Sequence, residues 1–198
     1  MEFPHVHLAA LIRCPRLLHH PFYGRGDVVV KRILLTGMSG TGKSTVIGEL
    51  AARGYKAVDA DSDEFSEWVE VIDDSGTFES PVEVDRDWVW REDCIQDLLS
   101  TEDTEVLFLS GCAENMPKFL PQFDHVVLLS APADVIVERL GTRTNNPYGK
   151  HPDEIARVLG LVERVEPLLR RAAEHEIDTS ACLEDVVATL LRLVQSQQ

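Results

Sequence analysis

The residues Gly37-Met38-Ser39-Gly40-Thr41-Gly42-Lys43-Ser44-Thr45 constrain this chain more than any others. They satisfy the pattern G-x-x-x-x-G-K-[ST]. They follow a short apolar run, Ile33 to Thr36, and precede a stretch with apolar residues at Val46, Ile47, Leu50 and Ala51. Strand, glycine-rich turn and amphipathic helix, in that order, make a loop whose backbone N–H groups can converge on phosphate oxygens while the helix N-terminus adds positive potential. A glycine-rich turn that merely opens a helix needs neither the lysine nor the hydroxyl.

The chemistry of such a loop assigns its members. Gly37, Ser39, Gly40, Thr41, Gly42, Lys43, Ser44 and Thr45 are the expected phosphate contacts. Lys43 is placed to bridge the terminal phosphates, and the Ser44 hydroxyl is placed to hold magnesium. ATP and Mg2+ are the expected cofactors. The sequence contains no N-K-x-D guanine signature, which favours ATP over GTP.

The composition narrows the remaining classes. A chain of 198 residues fits one domain with a sizeable core. Its 44% apolar and 27% charged residues are globular, and no apolar run approaches the roughly 20 residues of a membrane-spanning helix. A net charge of -15 opposes a phosphate backbone, so neither nucleic acid nor membrane is an expected partner. Cys14, Cys94, Cys112 and Cys182 lie far apart, which suggests neither zinc site nor disulfide framework, only reduced thiols in a cytoplasmic protein.

Residues 1–30 differ from the rest, being rich in His, Pro and Arg and without sustained apolar periodicity. They read as an N-terminal extension, either disordered or the product of a mis-assigned start, with a docking arm as the alternative. From Lys31 onward, strand-length apolar runs alternate with helical patterns. The strands are Ile33 to Thr36, Ala57 to Val58, Val106 to Ser110, His125 to Ser130 and Glu176 to Asp178. The helices are Lys43 to Arg53, Asp87 to Leu99, Ala133 to about Arg143, Pro152 to about Glu174 with a bend near Pro167, and Leu183 to Gln195. Such alternation predicts an α/β fold, a parallel sheet covered by helices on both faces. The acidic stretch Glu67 to Asp85, with a turn at Asp74-Ser75-Gly76, predicts a small hairpin or flap.

On these features the chain resembles the small P-loop kinases typified by shikimate, gluconate and adenylate kinases, from about Lys31 to the C-terminus. The resemblance implies a three-layer fold with a five-stranded parallel sheet, an insert at about 64–90 and a lid at about 143–151. Val58-Asp59-Ala60-Asp61 is similar to the D-x-D of shikimate kinase, which implies magnesium support from Asp59 and an acceptor-orienting role for Asp61. A carboxylate at a strand end beside the phosphate loop can orient a hydroxyl or accept its proton, and alternation places both acids on one face. Helix capping is the competing use of these acids.

The stretch from Val126 to Leu140 resembles the family's approach to its lid, where a helix delivers arginines to ATP. Arg139 and Arg143, four apart, are expected on one helix face, able to stabilise charge on a transferred phosphate. Gly111 follows the third strand, where the resemblance to shikimate kinase implies a glycine that admits a substrate. Arg91, flanked by Trp88 and Trp90 on the helix opening after Asp87, is a candidate acceptor contact. A single glycine stands where shikimate kinase has a run, and Trp90-Arg91 matches its F-R-x-x-E only in part, so the acceptor stays unassigned.

The expected function is transfer of the ATP γ-phosphoryl group to a hydroxyl of a small metabolite, with Lys43, Asp61, Arg139 and Arg143 as catalytic residues. A nucleoside or nucleotide kinase is one alternative, and an ATP-dependent switch or binding module is the other. Oligomeric state is open at this level.

Overall fold

The computed structural model describes residues 29–70, 86–144 and 148–195. The N-terminal extension, the expected turn at Asp74-Ser75-Gly76 and the middle of the expected lid lie outside the described residues.

Five strands, β1 (Lys31–Thr36), β2 (Lys56–Asp59), β5 (Val106–Ser110), β6 (His125–Ser130) and β7 (His175–Asp178), form one parallel sheet in the order β2-β5-β1-β6-β7. The central strands β5, β1 and β6 are largely apolar, as strands covered on both faces need to be, while the edge strands β2 and β7 are only partly apolar and partly exposed. The chain leaves β1 toward β2 and β5 on one side and toward β6 and β7 on the other, so the strand order reverses around β1. In such sheets the crevice beyond the carboxyl ends at the reversal receives the ligand.

Alternation along the strands builds a core on each face. Leu34, Leu107, Leu109 and Leu128 face one side, where they pack with helix α2 (Glu92–Leu99) through Ile95 and Leu98, and with Leu169 of α5 (Glu166–Ala172). Ile33, Leu35, Phe108, Val127 and Ile177 face the other. There they meet Val46, Ile47 and Leu50 of α1 (Lys43–Ala52) and Val187, Leu190 and Val194 of α6 (Leu183–Gln195). Helix α3 (Ala133–Thr142) contributes Ile136 and Leu140 to a third cluster, with Val158 of α4 (Pro152–Arg164). Truncating a fully buried leucine such as Leu34 to alanine is expected to cost about 2–5 kcal/mol.

The expected bend near Pro167 is a full break at Val165 between α4 and α5. Proline has no N–H for an interior helical bond but is well accepted in a first turn, so α5 restarts around it.

One helix begins later than its sequence pattern predicts. Asp87 to Trp90 is strand, not helix: β4 (Arg86–Trp90) pairs antiparallel with β3 (Ser66–Glu70) in a separate two-stranded ribbon. Trp68 stands opposite Trp88, with ring centroids 4.9 Å apart. Aromatic and β-branched residues in alternation favour the pleated pairing, and Arg91, with ψ 106, is the extended residue that caps α2.

Candidate functional site

The phosphate loop lies between β1 and α1, at the C-terminal edge of the sheet. Gly42 has φ 92, a left-handed conformation open mainly to glycine, and it precedes α1 without supplying any side-chain cap. The first turn of the helix therefore turns its backbone donors toward the cleft instead of toward a capping side chain. Behind the loop, Thr41 is fully buried and donates from Oγ1 to the Met38 carbonyl at 2.8 Å. Thr41 braces the loop instead of lining it.

Two carboxylates reach the loop from the end of β2. Asp59 pairs with Ser110 in the sheet register, which places its Oδ1 3.0 Å from the Ser110 hydroxyl that donates to it. Its other oxygen, Oδ2, accepts from the Ser44 hydroxyl at 2.5 Å. Two residues on, Asp61 Oδ2 lies 3.3 Å from Lys43 Nζ, and Oδ1 accepts from the Cys112 backbone N–H at 2.9 Å. Lys43 also donates to the Gly37 carbonyl at 2.8 Å. Burial works against the lysine's charge, but chiefly the Asp61 carboxylate, with that of Asp59, outweighs it and holds the ammonium above its ordinary pKa. The Cys112 thiol is itself raised, chiefly by burial, with Lys43 pulling the other way.

The opposite wall carries the arginines. Arg139, in α3, donates to Thr179 Oγ1 at 2.9 Å and to its carbonyl at 2.5 Å. Thr179 in turn donates to the Thr41 carbonyl at 2.8 Å and lies 3.0 Å from that of Ser130. This buried threonine ties the loop, β6 and the arginine together. Arg143 lies just past α3 in an extended conformation, with ψ 144, so the two arginines do not share a helix face as their spacing predicts. The helix ends one residue early, and Arg143 donates instead to the Tyr148 carbonyl at 2.6 Å while its buried Nε makes no hydrogen bond. Burial lowers its pKa from the ordinary arginine value.

These groups surround a cleft of about 640 Å³. Ser39, Gly40, Gly42, Lys43, Ser44 and Thr45 line its floor, with Asp59 and Asp61 on one side and Arg139 and Arg143 on the other. Ala181, Leu183 and Val186 give one end an apolar surface. The residues fit a magnesium nucleotide: an uncapped helix N-terminus and a buried lysine for phosphate, a hydroxyl and a carboxylate already in contact for a hard cation, and an apolar shelf for a base.

Gly111 and Arg91 are not on the cleft wall. A Cβ at Gly111 would come within 2.8 Å of the Trp90 ring and 3.0 Å of Asp61 Oδ1, so the missing side chain lets Trp90 pack behind the carboxylate. Arg91 caps α2, its Nη2 3.9 Å from Glu67 of β3. Ser110 and Thr179 are the participants that the sequence reading does not assign. Ser110 becomes meaningful only once the register sets it beside Asp59, and Thr179 only once β7 lies beside β6.

Comparison with known proteins agrees with this geometry. The chain is 29% identical over 177 residues to a curated shikimate kinase of Halorhodospira halophila (strain DSM 244 / SL1), covering 84% of this chain and 93% of the relative. Among solved structures, shikimate kinase from Acinetobacter baumannii in complex with shikimate superposes with a TM-score of 0.59 at 20% identity, covering 86% of this chain and 96% of that one. Shikimate kinase from Bacteroides thetaiotaomicron gives 0.57 at 18% identity, over 83% and 98%. At these identities the two structures establish a shared fold. A family model described as an AAA domain matches residues 33–176, most of the chain, from within β1 to within β7, and the chain therefore belongs to that family of P-loop proteins.

Proposed function

We propose that this protein is an ATP-dependent kinase of a small hydroxyl-bearing metabolite, working in the cytoplasm with magnesium. The observation that carries the reading is the pairing of the two loop side chains with two carboxylates, Ser44 with Asp59 and Lys43 with Asp61. Ser44 with Asp59 makes a cation site, and Asp61 sets a second carboxylate at the lysine, where a hydroxyl attacking the terminal phosphate would be oriented.

The chain's own residues divide the work. The loop backbone and Lys43 take the phosphates, and Ser44 with Asp59 holds the metal. Bound magnesium supplies charge neutralisation on the phosphoryl group. Asp61, fixed by Lys43 and the Cys112 N–H, orients the acceptor hydroxyl and is placed to accept its proton. Arg139 and Arg143 face it across the cleft, where guanidinium groups favour charge spreading over phosphate oxygens. The shikimate kinase relatives support phosphoryl transfer to an alcohol as the reaction class. The acceptor is left as a small polyhydroxylated metabolite.

The test is ADP release by purified protein with Mg-ATP, scanned over pools of sugars, sugar acids, shikimate, nucleosides and nucleotides. A pool that raises turnover well above the acceptor-free rate supports the reading. Tight ATP binding with flat turnover in every pool would replace it with a nucleotide-gated binding module.

A further inference from the structure

At the end of the sheet away from the phosphate loop, the starts of β6 and β7 bring together three side chains that the proposed kinase chemistry does not use. Val127 is in register with His175, so His125, two residues earlier on β6, projects to the same face as His175 and lies diagonal to it. The two rings stand 5.8 Å apart between centroids. Glu174, immediately before β7, accepts from His125 Nδ1 at 2.9 Å. One ligand atom from each of the three side chains lies within 4.8 Å of the others.

We propose that His125, Glu174 and His175 form a binding site for a divalent transition ion of the zinc class, separate from the magnesium site of the phosphate loop. Two imidazoles and one carboxylate suit zinc, cobalt or nickel and do not suit magnesium, which prefers oxygen ligands. Three protein ligands with a fourth position open to solvent is an established zinc arrangement. Burial is graded across the set. His125 is 5% exposed and fixed by the core, His175 is half-buried, and Glu174 is exposed. Zinc–ligand distances of about 2.0–2.2 Å put tetrahedral ligand atoms roughly 3.3–3.6 Å apart, and the three ligand atoms here already lie within 4.8 Å of one another.

A buried imidazole is satisfied by one partner, and Glu174 is sufficient for that. The hydrogen bond leaves unexplained a second imidazole on the same face within ligating reach. Ion binding clips the two strand starts together, which stabilises the folded chain by mass action.

The experiment is Zn2+ titration of the full-length protein by calorimetry in excess Mg2+, with thermal unfolding and the visible absorption of the Co2+ form as further readouts. His5, His7, His19 and His20 could also bind zinc, so a His19→Ala/His20→Ala variant is titrated alongside. The expected result is one zinc per chain, a raised unfolding midpoint and a tetrahedral Co2+ spectrum. Affinity should fall at least about tenfold in His175→Ala and in Glu174→Gln, whose position is exposed, and stay unchanged in the tail variant. Absence of zinc binding, affinity unchanged from wild type in both site variants, or loss in the tail variant would each overturn the proposal.

Discussion

Between Gly37 and Ser44 the chain ties itself down through left-handed glycines, a buried lysine and a threonine brace, whereas between Ser66 and Arg91 it carries a two-stranded ribbon outside the main sheet. The loop's polar groups meet at 2.5–3.3 Å: Ser44 with Asp59, Lys43 with Gly37 and Asp61. The ribbon's ion pairs are looser, 3.8 Å for Arg86 with Glu70 and 3.9 Å for Arg91 with Glu67, and Trp68 is 59% exposed. The difference teaches where precision is needed. Phosphate geometry is the same for every ATP-using chain, so short local contacts can fix it. The exposed part of the ribbon, with Trp68 and the Arg86–Glu70 pair worth less than about 1 kcal/mol, can change its residues without disturbing the loop, whereas Trp90 is buried in the core.

The sharpest way to break that comparison is to remove the loop's cation. Lys43→Met is expected to lower phosphotransfer by about 10³-fold or more while far-UV circular dichroism stays native; retained turnover would show that the loop is not the phosphate site. Next comes Asp61→Asn, for which kcat should fall about 10²-fold with the KM for ATP nearly unchanged, as steady-state kinetics would report. A change confined to the ATP KM would move Asp61 from the acceptor to the nucleotide.

Gly111→Ala tests the junction between the two regions. A methyl group forced against Trp90 should cost about 1–3 kcal/mol in denaturant unfolding, while ATP affinity measured by calorimetry stays within about threefold of wild type, since Gly111 lies behind Asp61 and off the cleft wall. On the ribbon itself, Trp68→Ala should cost less than about 1 kcal/mol. Any marked rise in the acceptor KM would then show that the exposed ribbon takes part in acceptor recognition.

The smallest expected effect lies at the start of α4. Glu154 accepts from the backbone N–H groups of Gly149, Lys150 and His151 at 2.8, 3.0 and 3.2 Å. The His151 backbone contact is the largest of the influences that hold its carboxyl below the ordinary glutamate range. A depressed folded pKa means that the contribution is complete above the ordinary value and lost as pH falls through the depressed one. Amide exchange at Gly149 and Lys150, corrected for its intrinsic pH dependence, should therefore accelerate under acid, and in Glu154→Ala it should be fast at every pH.

Much of the fold was legible because the two periods of the apolar pattern are local properties. All five sheet strands and helices α1, α3 and α6 follow from runs and spacings that each segment carries within itself. The helix expected from Asp87 failed because Trp88, Val89 and Trp90 suit either element in isolation. Only the partner strand, with Trp68 opposite Trp88, decides for the extended form. Arg143 left its helix for a comparable reason: the Tyr148 carbonyl, five residues on, captures its guanidinium once the chain has turned.

By itself the sequence determined the phosphate loop, since glycine conformations, a lysine and a hydroxyl at fixed offsets act within a few residues of one another. It also placed Asp59 and Asp61 at a strand end. Tertiary structure decided which partners those residues have. Ser110 reaches Asp59 only through the β2–β5 register, Thr179 joins the loop to Arg139 only because β7 lies beside β6, and His125 meets His175 across a gap of fifty residues. Sheet register is set by the sum of core packing over both faces, and no single segment of the chain encodes that sum.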